Sequence, residues 1–103
     1  MKLGDFGRFS DPALLILASL AEGPKHGYAM MVDIQSITGV RLGPGTLYGA
    51  LARLESSGLI KAMPVSERRR PYQLTAKGAG VLREQLTLLQ RVASAGLKRL
   101  ANA

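Results

Sequence analysis

The chain has 103 residues and 47% hydrophobic content, which is enough for one small domain with a buried core. It contains no cysteine, which excludes disulfide bonds and thiolate chemistry, and a single histidine. No pair of carboxylates has a spacing that suggests acid–base catalysis, so catalysis is the poorest interpretation. We expect no catalytic residues, no metal and no cofactor.

The positive charge is concentrated in one part of the chain. The formal net charge is +7, and the segment from Arg41 to Arg83 contributes +6 of it. Its basic residues are Arg41, Arg53, Lys61, Arg68, Arg69, Arg70, Lys77 and Arg83, and its acids are Glu55 and Glu67. A localised basic region in a small domain predicts a polyanionic partner. An acidic lipid surface fits less well, because no segment combines a basic face with Trp or Phe anchors.

The N-terminus shows no targeting signal. The apolar run from Ala13 to Ala21 is too short to cross a bilayer, and Asp5 and Asp11 are not typical of a signal peptide. We therefore expect a soluble cytoplasmic protein with no membrane contact. Residues 1–10 are predicted to form an N-terminal arm, and the sequence leaves open whether it covers a dimer interface or is disordered.

The first two helices have clear start and stop signals. Asp11 followed by Pro12 is a typical helix start, and this first helix is apolar nearly all round, so we expect it to be central. The second helix is predicted from about His26 to Thr38, ending at Gly39. Its apolar positions suggest one face formed by Tyr28, Met31, Ile34 and Ile37.

Several residues near the second helix have a structural and a functional interpretation. His26 is better explained as a capping or packing residue than as a metal ligand, because no second His or Cys is available. Met30, Met31 and Met63 are better explained as core residues than as ligand-binding ones.

The third helix is predicted from about Pro44 to Ser57, with its buried stripe at Leu47, Leu51 and Leu54. Its first turns are poor in side chains, at Gly43, Gly45 and Gly49, although glycine costs a helix about 1 kcal/mol relative to alanine. Two explanations stand at this point. The glycines allow close approach to a ligand backbone, or they allow close packing against the second helix.

Two short strands follow, "LIKAMPV" and "RPYQLT", around the charged tip "SERR". Because Pro71 has no N–H to donate, the second strand is expected to turn that side to solvent. Three helices followed by a two-stranded hairpin indicate a mainly α (α+β) winged helix-turn-helix domain over residues 11–75.

A long helix is predicted from Thr75 to about Leu100, roughly 39 Å at 1.5 Å per residue. One apolar stripe has heptad spacing and comprises Leu82, Leu86, Leu89, Ala93, Gly96 and Leu100. A second stripe beside it comprises Val81, Leu88, Val92 and Ala95. Such a helix is longer than the domain needs, and heptad spacing favours a partner helix. Residues 76–103 are therefore predicted to form a dimerisation helix.

In a winged domain the third helix enters the major groove with its N-terminal end, where free N–H groups favour phosphate. The cationic hairpin tip suits a minor groove or phosphates. The predicted DNA-binding residues are Gly43, Pro44, Gly45, Thr46, Tyr48, Gly49, Arg53, Lys61, Arg68, Arg69 and Arg70. Tyr48 has a second interpretation as a half-buried ring, and the arginine run has one as a solvated turn. Arg70 is the arginine most expected to fold back onto the protein.

Three motifs resemble those of PadR-type transcriptional regulators: "AEGPKHGYAM", "GPGTLYGALARLESSGLI" and "RRRPYQLTAKG". The resemblance implies a homodimeric repressor, joined through its C-terminal helix, that leaves DNA when a small apolar effector binds near the dimer interface. Pro44, Thr46, Leu47 and Tyr48 match the start of the family's recognition helix. Gly49 replaces a larger residue, and the single terminal helix resembles the shorter branch of the family.

The first hypothesis is thus a dimeric repressor on a palindromic operator in double-stranded DNA. The alternative is a winged-helix module that uses its basic face to bind an acidic protein. An RNA-binding role lacks the interleaved aromatic residues that single-stranded RNA platforms use.

Overall fold

The computed structural model describes residues 11–103. Its elements are α1 (Pro12–Leu20), β1 (Lys25–His26), α2 (Gly27–Thr38), α3 (Pro44–Ser56), β2 (Ile60–Ala62), β3 (Pro71–Leu74) and α4 (Ala76–Ala101). The order confirms a mainly helical winged fold followed by a long C-terminal helix. The predicted arm, residues 1–10, lies outside the described residues. None of the helices described here has the length and apolar character needed to span a bilayer.

The core forms where α1, α2 and α3 meet the sheet. The predicted stripe of α3 is confirmed, since Leu47, Leu51 and Leu54 are all buried. The other core residues are Ile16, Leu17, Leu20, Met30, Ile34, Leu42, Ala50, Ile60 and Leu82. The central place predicted for α1 follows from this, because its apolar side chains contact both other helices and the sheet.

The predicted face of α2 is wrong in part. Met30 and Ile34 are buried, whereas Tyr28 is 62% exposed and Ile37 is 66% exposed. The predicted face used steps of three residues, and each such step falls about 60° short of a full helical turn. Three steps therefore place Tyr28 and Ile37 on opposite sides of the helix. Gly27, Met30 and Ile34, at alternating steps of three and four, form the buried face.

The sheet has three strands in the order β1-β3-β2, which corrects the predicted two-stranded wing. β1 is only two residues long, and it pairs Lys25 with Tyr72 and His26 with Pro71. A strand of two residues has no alternating pattern that a sequence could show. β3 is therefore the central strand, and the expectation that it turns one side to solvent is wrong.

Arg70 supplies the hydrogen bond that Pro71 cannot make. Met63 N donates to Pro71 O over 2.8 Å, and a regular antiparallel pair would return a bond from residue 71 to Met63 O. Proline has no N–H, and the Arg70 guanidinium donates to Met63 O instead, over 2.8 Å. This is why a proline is tolerated in the central strand, and Arg70 folds back as expected.

Within residues 11–103, α4 is attached to the domain through its first turns. Gly78 and Leu82 are buried there, and Leu82 is 5% exposed. Every residue from 83 to 103 is exposed. Leu82 therefore belongs to the core of the winged domain, whereas the rest of the predicted dimerisation stripe lies on an exposed helix.

Candidate nucleic-acid interface

The start of α3 differs from the starts of the other helices in the described chain. Asp11, His26 and Thr75 each accept a backbone N–H with their side chains at the starts of α1, α2 and α4. The N-cap of α3 is Gly43, which makes no such bond. Because the first N–H groups of a helix have no intrahelical acceptor, those of α3 remain available to an anion.

The glycines of α3 leave its leading turns open. A Cβ placed on Gly43 or Gly45 would have no neighbour within 4 Å among the described residues, and one on Gly49 would meet only Arg53 Nη1 at 3.7 Å. None of the three has a positive φ. The alternative that they exist for packing against α2 is therefore wrong. Pro44, Gly45, Thr46 and Tyr48 are all exposed on this end of the helix.

The wing ends in a tight two-residue turn. Ser66 and Arg69 exchange both backbone hydrogen bonds, at 2.8 and 2.9 Å. The two residues between them have positive φ, 52° at Glu67 and 66° at Arg68. Such values match the tight turns that join twisted strands, where glycine or asparagine is usual. The turn projects Arg68 at the end of the wing.

A groove lies between the wing and the starts of α2 and α3. Its volume is about 360 Å³. It is lined by His26, Gly27, Tyr28, Tyr48, Arg68, Arg69, Arg70 and Tyr72. Four of the predicted DNA-binding residues line it, because the fold brings Tyr48 of α3 next to the three consecutive arginines of the wing. Three guanidinium groups and three phenol rings make this groove suited to an anion.

One side of the groove is held by His26. Its Nδ1 accepts from Ala29 N over 3.3 Å, and its Nε2 lies 2.9 Å from Arg69 Nη1. A neutral imidazole has one acceptor nitrogen, so it cannot accept from both groups at once. In the tautomer that accepts from Ala29 N, Nε2 carries the proton, so Arg69 then has no acceptor on the ring. The predicted structural role of His26 as a helix cap is confirmed.

Two basic residues of the predicted set lie outside this groove. Arg53 is exposed in the last turn of α3, and Lys61 is exposed on β2. Lys77, which flanks the same hairpin, donates to Ser57 O over 2.9 Å and so caps the C-terminal end of α3.

Comparison with known proteins agrees with this geometry. The model of the PadR-like transcriptional regulator family matches residues 16–84. The chain is 38% identical over 87 residues to the transcriptional regulator Rv3488 of Mycobacterium tuberculosis, covering 78% of this chain and 77% of that protein. The chain belongs to the PadR-like family of transcriptional regulators. Regulators of this family bind DNA, and the chain is not an enzyme.

Two further similarities fit the PadR-like assignment. A PadR family transcription regulator from Clostridium difficile R20291 superposes with a TM-score of 0.74 at 26% identity, covering 86% of this chain and 97% of that chain. An uncharacterised 37.1 kDa protein in transposon TN4556 of Streptomyces fradiae is 44% identical over 85 residues, which are 82% of this chain. The match spans only 25% of the length of that protein.

Tyr28 is a site residue of this PadR-like regulator that the sequence pattern did not predict. It lines the groove between the wing and the starts of α2 and α3, which we call the wing groove. It also lines a second groove of about 200 Å³ beside Arg41, Gly43 and Pro44. Tyr28 therefore lies between the three arginines of the wing and Arg41. The signal was present in the helical spacing, because the buried stripe through Gly27 and Met30 leaves position 28 on the outside.

Proposed function

We propose that this PadR-like regulator is a sequence-specific repressor that binds a palindromic DNA operator as a homodimer. The observation that carries the proposal is the start of α3, which among residues 11–103 has no side-chain cap and no neighbour that obstructs Gly43 or Gly45, and which lies beside a groove lined by three arginines. Such a surface fits the major groove and its flanking phosphates. The proposal includes a location in the cytoplasm, because a regulator that binds DNA must reach the genome.

The start of α3 would supply base and backbone contacts. Gly43, Pro44 and Gly45 would approach a DNA strand closely, with Gly49 one turn further on. Thr46 is the exposed polar side chain on the first turn, so it is the residue assigned to base edges. Arg53 lies too far along the helix for a central base and would contact the DNA backbone.

The wing would supply charge rather than sequence information. Within the described residues, the side chain of Arg68 makes no hydrogen bond or ion pair, and it projects from the turn. Arg69, whose Nη1 lies 2.9 Å from His26 Nε2, would bind a phosphate. Lys61 would contact phosphate from β2, and Arg70 contributes charge while it completes the sheet.

In the proposed dimer, a second copy of the chain would pack against the exposed face of α4. Residues 83–101 continue the helix, no contact with the rest of residues 11–103 buries them, and their large apolar side chains are exposed. In proteins most of the stability of a helix comes from packing of its apolar face, and a continuous exposed apolar stripe favours a partner. The stripe that would pair comprises Leu86, Leu89, Ala93, Gly96 and Leu100, with Leu82 at its buried beginning.

The proposal includes release by a small apolar effector. A groove of about 200 Å³ lies where α1, α3 and α4 meet, and Leu14, Leu17, Leu54, Leu59 and Val81 are among its lining residues. A ligand there would touch both the dimerisation helix and the recognition helix. Dissociation of the DNA complex by a compound of this class would support this part.

The DNA-binding roles are tested with a duplex selected from a random pool and with unselected duplex. We expect Arg69→Ala to weaken binding to both equally and to lower the log–log salt slope by roughly 0.9 for each phosphate that the variant no longer neutralises. Thr46→Ala should weaken binding to the selected duplex by about 1–3 kcal/mol and change binding to random duplex little. Affinity is measured by fluorescence anisotropy at several salt concentrations.

Two outcomes would contradict these assignments. Equal losses on both duplexes for both variants would remove the division between base and phosphate contacts. A wild-type chain that binds no duplex at low salt would favour the alternative, an interaction module for an acidic protein.

The dimer is tested by a charge on the exposed stripe. Leu89→Glu should give a monomer at micromolar concentration, because a buried carboxylate in the helix pair would lack a partner. Thr87→Glu is the matched control, since position 87 lies on the opposite side of α4, and it should remain dimeric. Sedimentation velocity measures both. A monomeric wild-type chain would overturn the proposed dimer.

A further inference from the structure

We infer that Gly27 is a positioning residue for DNA binding, because the absence of its side chain allows the Tyr48 hydroxyl to lie in the wing groove. The inference rests on the proposed function and adds a residue that makes no DNA contact itself. It also explains why a buried position at the start of a helix carries a glycine.

The backbone conformation of Gly27 does not require glycine. It is the first residue of α2, and its φ is not in the positive region, unlike those of Gly23, Gly39 and Gly58. Alanine would favour the helix by up to about 1 kcal/mol. The reason for glycine must therefore be space.

The space is occupied by the end of the Tyr48 side chain. A Cβ on Gly27 would lie 2.6 Å from Tyr48 Oη and 3.0 Å from Tyr48 Cζ. It would also lie 3.2 Å from Leu47 Cδ2. The start of α2 and the second turn of α3 thus meet at a glycine, and the phenol ring lies against the main chain.

This contact determines where the Tyr48 hydroxyl lies. The side chain is 53% exposed, so one part of the ring faces solvent while its hydroxyl end is held against α2. Gly27 and Tyr48 line the groove that also contains Arg68, Arg69 and Arg70. A phosphate in that groove would meet the hydroxyl donor, the guanidinium groups and the positive end of the α2 dipole together.

The geometry separates this role from a role in stability. The atoms that a methyl group at position 27 would meet most closely belong to the far end of a half-exposed side chain, not to the backbone. The ring can move toward solvent at little cost to the fold, and the contact with Leu47 Cδ2 requires a shift of only a few tenths of an ångström. Gly27→Ala should therefore displace the hydroxyl while the protein stays folded.

The test is a double-mutant cycle on a duplex selected by the wild-type protein. Gly27→Ala and Tyr48→Phe are each expected to weaken binding by about tenfold, as expected for removal of a hydrogen bond to a charged group. The double variant should bind about as weakly as Tyr48→Phe alone, because both changes remove the same contact. Gly80→Ala, whose added Cβ has no neighbour within 4 Å, should keep wild-type affinity.

Other outcomes would contradict the inference or the function on which it rests. If Gly27→Ala binds as tightly as wild type, or if its effect multiplies with that of Tyr48→Phe, the inference is overturned. Thermal unfolding of the same samples shows whether the variant is folded, and a large fall in its melting temperature would assign Gly27 to stability. A wild-type chain that binds no duplex would overturn the proposed function instead.

Discussion

The starts of α3 and α4 show two opposite uses of glycine in one small protein. At α4, Thr75 Oγ1 accepts from Gly78 N over 3.0 Å and donates to Gly58 O over 2.7 Å. A Cβ on Gly78 would lie 2.0 Å from Leu59 O. At α3 there is no capping side chain, and a Cβ on Gly45 would meet nothing within 4 Å among the described residues.

The difference shows what each helix start is for. The start of α4 is closed by hydrogen bonds and by direct backbone contact, so the long helix leaves the domain in a fixed direction. The start of α3 lacks both restraints and has free N–H groups at the surface. Glycine therefore serves intrachain packing in one helix and accessibility in the other. Gly27 is related to both uses, because its missing side chain makes room for Tyr48, which belongs to the proposed DNA-binding surface.

The largest expected effect on stability is at the start of α4. Gly78→Ala should lower the free energy of unfolding by about 3 kcal/mol, because the methyl group would overlap a backbone carbonyl that cannot move without displacing β2 or α4. For a domain of this size we expect a fall in melting temperature of about 15 °C. Thermal unfolding followed by circular dichroism at one protein concentration measures it.

The matched control lies two residues away on the same helix. Gly80→Ala should raise the free energy of unfolding by up to about 1 kcal/mol, since it gains helix propensity without a clash. Equal stability of the two variants would show that the contact between Gly78 and Leu59 does not restrain α4.

A smaller effect on stability, opposite in sign to that of Gly78→Ala, is expected at the start of α3. Gly45→Ala should raise the free energy of unfolding by about 0.5 kcal/mol, because the site is open and alanine favours a helix. The same change should weaken operator binding about tenfold, or ~1.4 kcal/mol, since a methyl group would separate the helix from the DNA backbone. Unfolding and anisotropy titrations on one preparation measure both.

Two results would contradict the contrast between the start of α3 and the start of α4. If Gly45→Ala destabilised the protein, its glycine would serve packing as Gly78 does. If Gly45→Ala stabilised the protein and left DNA affinity unchanged, the open surface of α3 would not be the DNA-binding surface.

Local signals in the sequence predicted most of the fold. Asp11 caps α1 through a bond from Ala13 N of 3.0 Å, and Gly39 ends α2 with φ of 74°, both as expected. Leu47 and Leu51 are buried because their spacing matches one helical face. These features depend on residues within a turn or two of each other, so a single sequence is sufficient for them.

Features that join distant segments needed the structure. β1 was missed because two residues carry no pattern, and its pairing with Pro71 makes β3 the central strand. Tyr28 was placed on one face of α2 with Ile34, and it is in fact exposed and lines the wing groove and the groove beside Arg41. The groove itself combines α2, α3 and the wing, which no local pattern relates.

The sequence by itself determined the order of the four helices and the two wing strands, the charge distribution and the family, because caps, periodicity and motifs are short-range properties of the chain. Only the tertiary structure decided what each glycine is for. Whether a missing Cβ leaves open surface, as at Gly45, or admits another segment, as at Gly27 and Gly78, depends on atoms brought there by folding.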